Sequence, residues 1–443
     1  MTYKYILWSI LLLGAGFFYS CLNSDQVTTD ALQDAQIYAF SATAAYDSTE
    51  TLANTKFSID QLNSQIFNKD SLEFGFEPKN ALLSITTAYA SAIKFYLTNP
   101  DSTYYWNSSD SVAINRLKTI EITAQDQKTI KRYDFKLNIH KQDPEILNWT
   151  NIQGSYVGTS FIDQKTILLN GTFFTYYSTP SIRLSSTKSP GIDGWQTAEI
   201  SSLPQNTIVS SFMAGNNTGY AVDAYHNVYS SNNGTSWTKI ASPYGVKAIY
   251  GVSPNTTDSL LTIIDVDGAL KFAKTKNNDF VTFSIKNSSN VPFDFPIRDF
   301  SCISISRSNN YTSKYYVISG GITLNGNSSN KIWFLQEKGN IITSASFVPS
   351  FDVQGSTLFA YNDNVYILSA TSEKNILRIS KDNGLTWTVA GDKQALPTSF
   401  SYRHDASIIV DSNNFIWIFG GISGSEIQFA DVWRGRLNSL AVN

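Results

Sequence analysis

Cysteine and histidine are the scarcest reactive residues in this chain: two cysteines and three histidines among 443 residues. His140, His226 and His404 are too few and too scattered to form a recognisable zinc site, so no metal is expected and nothing calls for a cofactor. Cys302 lies in the alternating stretch FSCISIS, where a buried free thiol acts as a small hydrophobe rather than a nucleophile. Charge is sparse as well, at 16% Asp, Glu, Lys and Arg, with a net charge of -3 and no run of Lys or Arg. That excludes nucleic acid as a natural partner. No G-x-S-x-G motif is present, so His404 beside Asp405 has no serine nucleophile to serve and a triad is not supported.

Asn, Ser and Thr fill the place of the charges, together with 27 Phe, 24 Tyr and 9 Trp. Aromatic and β-branched residues suit half-buried strands, and Asn and Ser suit the turns between them, so the chain reads as all-β. The length points to two or three compact units. The apolar stretch from Ile6 to Phe18 follows Lys4 and ends just before FYSC. It is below the ~20 residues that a membrane span needs, and reads as a signal peptide over residues 1–21. The closing Cys21 resembles a bacterial lipobox cysteine, which implies acylation there and a durable membrane tether. Residues 22–33 then form a spacer.

From residue 34 to 143 short strands alternate with polar turns: AQIYAFSA, TKFSID, ALLSITTAYASAIKFYL, LKTIEITA and KRYDFKLNIHK. The last places Tyr133, Phe135, Leu137 and Ile139 on one face. This suggests an immunoglobulin-like β-sandwich without a disulfide. Within it, DSTYYWNSSD sets Tyr104, Tyr105 and Trp106 in a polar loop, the candidate ligand contacts of this domain. KQDPEI around Pro144 reads as the linker to a second domain over 144–443.

That second domain repeats. SSNNGTSW begins at Ser230 and SKDNGLTW at Ser380, 150 residues apart, while the pairs Gly320-Gly321 and Gly420-Gly421 lie 100 apart, each twelve residues before Trp333 or Trp433. A unit of about fifty residues accounts for both spacings. Turn residues Asn227, Gly268, Asn364 and Asn414 precede hydrophobic strands, and Trp195, Trp237, Phe283, Trp333, Trp387 and Trp433 close the units. Successive closures lie between 42 residues (Trp195 to Trp237) and 54 residues (Trp333 to Trp387) apart. Six closures predict a six-bladed β-propeller.

SKDNGLTW resembles the Asp-box repeat of sialidases, with Ser380, Asp382, Gly384, Thr386 and Trp387 in place. SSNNGTSW is a looser copy, with Ser230, Asn232, Gly234 and Trp237 aligned to it. The box is a structural turn, so it speaks for a propeller and hardly for hydrolysis. The stretch from Ser401 to Gly421 resembles a kelch repeat, which gives Arg403 and His404 a structural role. A sialidase-like enzyme needs an arginine trio; Arg183, Arg298, Arg307, Arg378, Arg403, Arg434 and Arg436 are available, but FPIR at 295–298 only scrambles the expected signature. Asp265 and Asp267 form a nominal carboxylate pair, more simply a hairpin turn. Taken whole, the chain resembles a family of uncharacterised Bacteroidetes lipoproteins known as a domain of unknown function. The resemblance implies an outer-membrane or cell-surface lipoprotein, periplasmic-facing or exposed, and assigns no catalytic residue. The expected function is non-enzymatic binding or scaffolding of a glycan or another envelope protein. The alternative is a sialidase-like, glycan-active hydrolase using the central face of the propeller.

Overall fold

The computed structural model describes residues 31–440 apart from 45–46, 153–155, 157–159, 216, 254–258, 277–278, 286–289, 307–313 and 372. Among these residues every element is a strand except two short 3-10 turns, Val209–Ser211 and Asn438–Leu440. The chain separates into two compact units at Asp143 and Pro144. Cys21 lies outside the described residues.

In the N-terminal unit two sheets share one apolar cluster. Strands Ile37–Thr43, Asn80–Thr87 and Ser111–Ala113 form the smaller sheet. The larger has six strands and includes a parallel pair between Gln65–Asn68 and Ile130–Lys136. ALLSITTAYASAIKFYL, expected as one strand, breaks into Asn80–Thr87 and Ala90–Leu97, which belong to different sheets. Exposed Tyr89 marks the corner. Tyr133 and Phe135 are buried in the shared cluster, and Leu137 and Ile139 pack against it beyond the strand end. The Tyr133 hydroxyl accepts from the Ile37 amide at 3.2 Å and donates to Gln61 Oε1 at 2.7 Å, joining one sheet to the other inside the apolar layer.

The C-terminal unit is a β-propeller whose described residues form six four-stranded antiparallel sheets, here sheets I to VI. Their first strands are Gln164–Leu169, Met213–Gly215, Gly245–Val252, Pro296–Ser306, Thr357–Tyr361 and Ser407–Val410. Each first strand neighbours that of the sheets before and after it, and the first of sheet VI neighbours the first of sheet I, which closes a ring. Sheet VI is completed from the other end of the unit: Leu147–Ile152 pairs with Val432–Leu437 in unbroken register, Leu147 opposite Leu437 and Ile152 opposite Val432.

First strands of neighbouring sheets are not hydrogen-bonded into one ladder, so their facing edges need other partners. Hydroxyls supply them. Ser301 Oγ accepts from the Leu358 amide at 2.8 Å, Ser407 Oγ from the Thr166 amide at 3.0 Å, and Thr357 Oγ1 donates to the Ala406 carbonyl at 2.7 Å. Between the sheets the seams are aromatic: Tyr176 stacks on Phe212 at 3.8 Å with Trp237 edge-on to both.

The expected closures fall into two kinds. Trp195, Trp237, Phe283 and Trp387 sit at or just before the outermost strand of their sheets, whereas Trp333 and Trp433 lie on the third strand. The difference follows from packing: Trp333 meets Phe295 at 4.9 Å and Trp433 meets Phe400 at 5.3 Å, both phenylalanines coming from the segment that enters the first strand. In sheet VI the Trp433 indole donates to Asp431 Oδ2 at 2.9 Å, and the buried Arg403 guanidinium binds both oxygens of the same carboxylate, between the rings of Phe400 and Phe429. Arg403 also donates to the Gly420 carbonyl at 3.0 Å.

Removing Asp431 leaves this guanidinium buried without its counter-charge. Asp431→Ala is expected to destabilise the propeller by about 3–5 kcal/mol, read as a lower urea midpoint. Arg403→Lys should recover little, since an ammonium cannot reproduce the two-pronged contact.

Candidate functional site

Each sheet is an antiparallel meander, so the entry to its first strand and the link between its second and third strands emerge at the same end. Both Asp-box turns join third to fourth strands and therefore lie at the opposite end. At the entry end, residues starting the first strands of sheets I, IV, V and VI line a cavity of about 280 Å³. It shares Lys165, Ser210, Asp299 and Phe300 with a second cavity of about 550 Å³ that continues along the ring's centre. The larger cavity is lined both by apolar residues, among them Ile167, Ile249, Ile297 and Ile408, and by polar ones, among them Lys165, Lys247 and Asp299.

Three carboxylates meet at the mouth: Asp163 just before the first strand of sheet I, Asp299 within that of sheet IV, and Asp405 just before that of sheet VI. Lys165 shares the cavity. Asp299 and Asp405 both hold left-handed backbone, at φ +54° and +55°, which non-glycine residues rarely adopt. In sheet IV the register slips between Pro296 and Arg298, a bulge that re-aims the following side chain. The glycine pairs make room for these bends. A Cβ on Gly321 would meet Phe300 Cβ at 2.7 Å and the Arg298 carbonyl at 2.8 Å; one on Gly421 would meet the His404 carbonyl at 2.8 Å. Each second glycine thus permits an aspartate bend across the sheet. Gly355, at φ +60°, approaches His404 and Asp405 from sheet V in the same way.

The charges are unevenly satisfied. Asp299 accepts from the Ser210 hydroxyl at 2.5 Å and lies 3.9 Å from Arg298 Nε; Asp405 Oδ2 is 2.7 Å from His404 Nδ1. Asp163 accepts only the neighbouring Gln164 amide at 2.7 Å among the described residues. Burial, with Asp299 and Asp405 adding to it against that amide bond, pushes the Asp163 carboxyl up to about 6. Lys165 makes no ion pair or hydrogen bond through its ammonium group among the described residues. Its surroundings in the channel lower its pKa, and the three aspartates act in the opposite direction. Gln164 is buried, and its Oε1 has no hydrogen-bond donor although Nε2 reaches the Asp405 carbonyl at 3.2 Å. No group of three His, Cys, Asp or Glu residues among the described residues could hold a metal ion, so the aspartates converge on a cavity and not on one point.

The residues singled out by sequence fall elsewhere. Tyr104 ends up on strand Ser102–Tyr105 rather than in a loop, and the alternation turns it inward: Phe95 holds Tyr104 edge-on at 5.8 Å and Trp106 stacked at 5.6 Å. Only Tyr105 is exposed, at 70%. Tyr104 and Trp106 are partly buried and pack against the core of the N-terminal unit, so the three rings do not form one exposed platform.

SKDNGLTW makes the turn foreseen for it. Ser380 Oγ accepts from the Gly384 amide at 2.7 Å, Asp382 binds the Thr386 amide and hydroxyl at 2.8 and 2.6 Å, and Trp387 meets Phe351 edge-on. In SSNNGTSW the roles shift by one residue. Ser231, not Ser230, receives the Gly234 amide, and Asn233, not Asn232, receives those of Thr235 and Ser236. Ser231, opposite Gly219, ends its strand as Ser380, opposite Val365, ends the other; the strand thus runs one residue further into the motif and the turn is one residue shorter. Asp265 reaches Lys247 at 3.5 Å and the Gly268 amide at 2.8 Å, and Asp267 forms the left-handed hairpin turn with Gly268, so the two are not a working pair. Of the described arginines only Arg298 lines the central cavities; Arg378 stacks on Phe351, and Arg434 and Arg436 on Phe415. Arg307 lies outside the described residues. Burial raises the pKa of the Cys302 thiol, which keeps it protonated and unreactive.

Asp163, Lys165 and Asp299 were not singled out by sequence. Asp163 and Lys165 lie in one repeat and Asp299 in another, with no shared motif. One signal was present: in both glycine-pair sheets an Arg stands one or two residues before the aspartate that enters the first strand, as IRDF and YRHDA.

The ring of sheets and its central cavity define a β-propeller. The chain belongs to the DUF6242 family: residues 143–443 match the DUF6242 beta propeller domain, and residues 23–137 match the DUF6242 N-terminal domain, a domain of unknown function. No curated protein matches it. Among solved structures, YjhT is 12% identical with a TM-score of 0.46, over 63% of this chain and 96% of that one. AofleA from Arthrobotrys oligospora is 10% identical with a TM-score of 0.39, over 65% and 86%. An α-L-arabinofuranosidase from Clostridium thermocellum is 11% identical with a TM-score of 0.29, over 61% and 85%.

A carboxyl raised from its unfolded value of 3.8 to about 6 costs the folded state stability wherever it must ionise. The cost is absent below pH ~4, where both states hold the proton, and complete above pH ~6. Asp163→Asn is therefore expected to stabilise the propeller at pH 7.5 by up to about 3 kcal/mol and to be neutral near pH 4. Urea unfolding at the two pH values checks this.

Proposed function

We propose that this protein is a lipid-anchored component of a bacterial cell envelope, tethered through Cys21, whose propeller binds a glycan at the channel mouth without cleaving it. The reading takes the six sheets as six blades, two with Asp-box turns and two kelch-like, behind an immunoglobulin-like N-terminal sandwich. It places the protein on the outer membrane or surface of a Bacteroidetes envelope. The observation that carries the binding role is the mouth itself. Lys165 stands there without a partner among the described residues, beside three aspartates and next to a second cavity lined by both apolar and polar residues. Convergent polar groups beside apolar side chains are what small-molecule sites present. Unsatisfied donors and acceptors await a ligand that supplies both.

One observation favours hydrolysis as a second reading. Asp163, raised to about 6 beside two further carboxylates, has the character of a general acid paired with a base. The arginine trio of a sialidase has no counterpart lining the central cavities among the described residues, so cleavage here would act on another class of glycoside.

Binding of the full chain to an array of host and dietary glycans, with sugar release followed in parallel, separates the readings. Binding without release is the expected result, and release would replace it with the hydrolytic reading. Silence in both would move the search to an envelope protein as the partner. The anchor is tested separately: Cys21→Ser should move the protein from the membrane to the soluble fraction of the cells that make it.

A further inference from the structure

We infer that the mouth formed by Asp163, Lys165, Asp299 and Asp405 takes an uncharged sugar ring and rejects acidic sugars. This rests on the glycan-binding reading above and specifies its ligand. Carboxylates only accept hydrogen bonds and an ammonium group only donates them, whereas a hydroxyl does both. A sugar hydroxyl placed between Lys165 and an aspartate satisfies both at once, with two charge-assisted bonds and no charge of its own to desolvate. Adjacent hydroxyls on one ring repeat the arrangement around the three aspartates. Phe300 lines both cavities and is stacked on Tyr250 at 4.6 Å, which gives the ring's C–H face an apolar surface held rigid from behind.

Charge sets the selectivity. A sialic or uronic acid brings a carboxylate among three others; Lys165 is the cation lining the mouth, while Arg298 and Lys247 of the second cavity already lie beside Asp299 and Asp265. Bringing like charges together in a partly desolvated site is a built-in rejection. A simple cation meets Lys165 instead.

The test is saturation-transfer NMR and calorimetry on the full chain in detergent. A panel of free neutral monosaccharides and N-acetylhexosamines is set against sialic, glucuronic and galacturonic acids. At least one neutral sugar should bind and no acidic sugar should. Asp299→Asn and Lys165→Met should each weaken the neutral sugar by about tenfold or more; Asn tolerates left-handed backbone, so the bend at 299 survives the change. Unfolding curves matching the parent confirm that those variants are folded. If the mouth variants bind glycans like the parent, or if acidic sugars bind as well as neutral ones, the inference is overturned while the glycan-binding reading stands. If no glycan on the array binds at all, both fall.

Discussion

Six sheets arranged in a ring are only as secure as the seam that joins the last to the first, and here that seam is a pairing between distant parts of one chain. Leu147–Ile152 adds the fourth strand to sheet VI, opposite Val432–Leu437. Without it, sheet VI would end in an open edge and the ring in a weak joint. Side chains reinforce the pairing: Asn148 donates to Asn438 at 2.6 Å, and the Tyr361 hydroxyl accepts from the Leu437 amide at 2.9 Å, tying sheet V into the same seam. Gly435 lets Trp149 lie flat across the strand, since a Cβ there would meet the indole at 2.6 Å. Everything at the channel mouth depends on this closure. Gln164 of sheet I reaches the Asp405 carbonyl of sheet VI, and a ring that gaped between these sheets would lose that contact and the spacing of the aspartates with it.

The mouth is the part of the propeller where local preferences are overruled. Two aspartates sit in left-handed backbone, a third holds its proton well above the usual range, and a lysine stands without a counter-ion among the described residues. Each feature costs stability. The same ring satisfies its charges carefully elsewhere. Arg403 has a carboxylate, backbone carbonyls and two aromatic faces, and Lys274 holds Glu337 at 3.0 Å. A fold that pairs Arg403 so completely and leaves Lys165 open in a cavity that Asp405 also lines has concentrated its imbalance in one place. That contrast within one molecule is what the proposed binding role rests on.

The all-β class and the propeller were legible because both are written as repeats. Glycine pairs, S-x-x-N-G-like turns and closing aromatics recur about every fifty residues or a multiple of that, and turn chemistry is local: Asp382 and Gly384 act on neighbours within four residues. Where the local copy degenerates, the reading slips. In SSNNGTSW two serines and two asparagines compete for the same roles, and the end of the strand at Ser231 decides between them, which no local pattern reveals. The aromatic run at Tyr104 misled for a related reason: an edge strand and a loop look alike in a polar context, and only the pairing with Ala90–Leu97 turns alternate rings inward.

The site itself was not legible, and the cause is geometric. Asp163, Asp299 and Asp405 become neighbours only because three first strands begin at the same mouth of the ring, while in sequence each is an ordinary polar residue ahead of a hydrophobic strand. The glycine pairs carried the missing information in disguise. Read alone, Gly320-Gly321 and Gly420-Gly421 mark where strands end. In the folded chain Gly321 and Gly421 are the surfaces against which the bends at Asp299 and Asp405 close, since any side chain there would strike the backbone of the bend. The same residues that announce the architecture therefore also hold two of the three mouth aspartates in position. A feature dismissed as purely structural is, in this ring, the support on which the polar site is built.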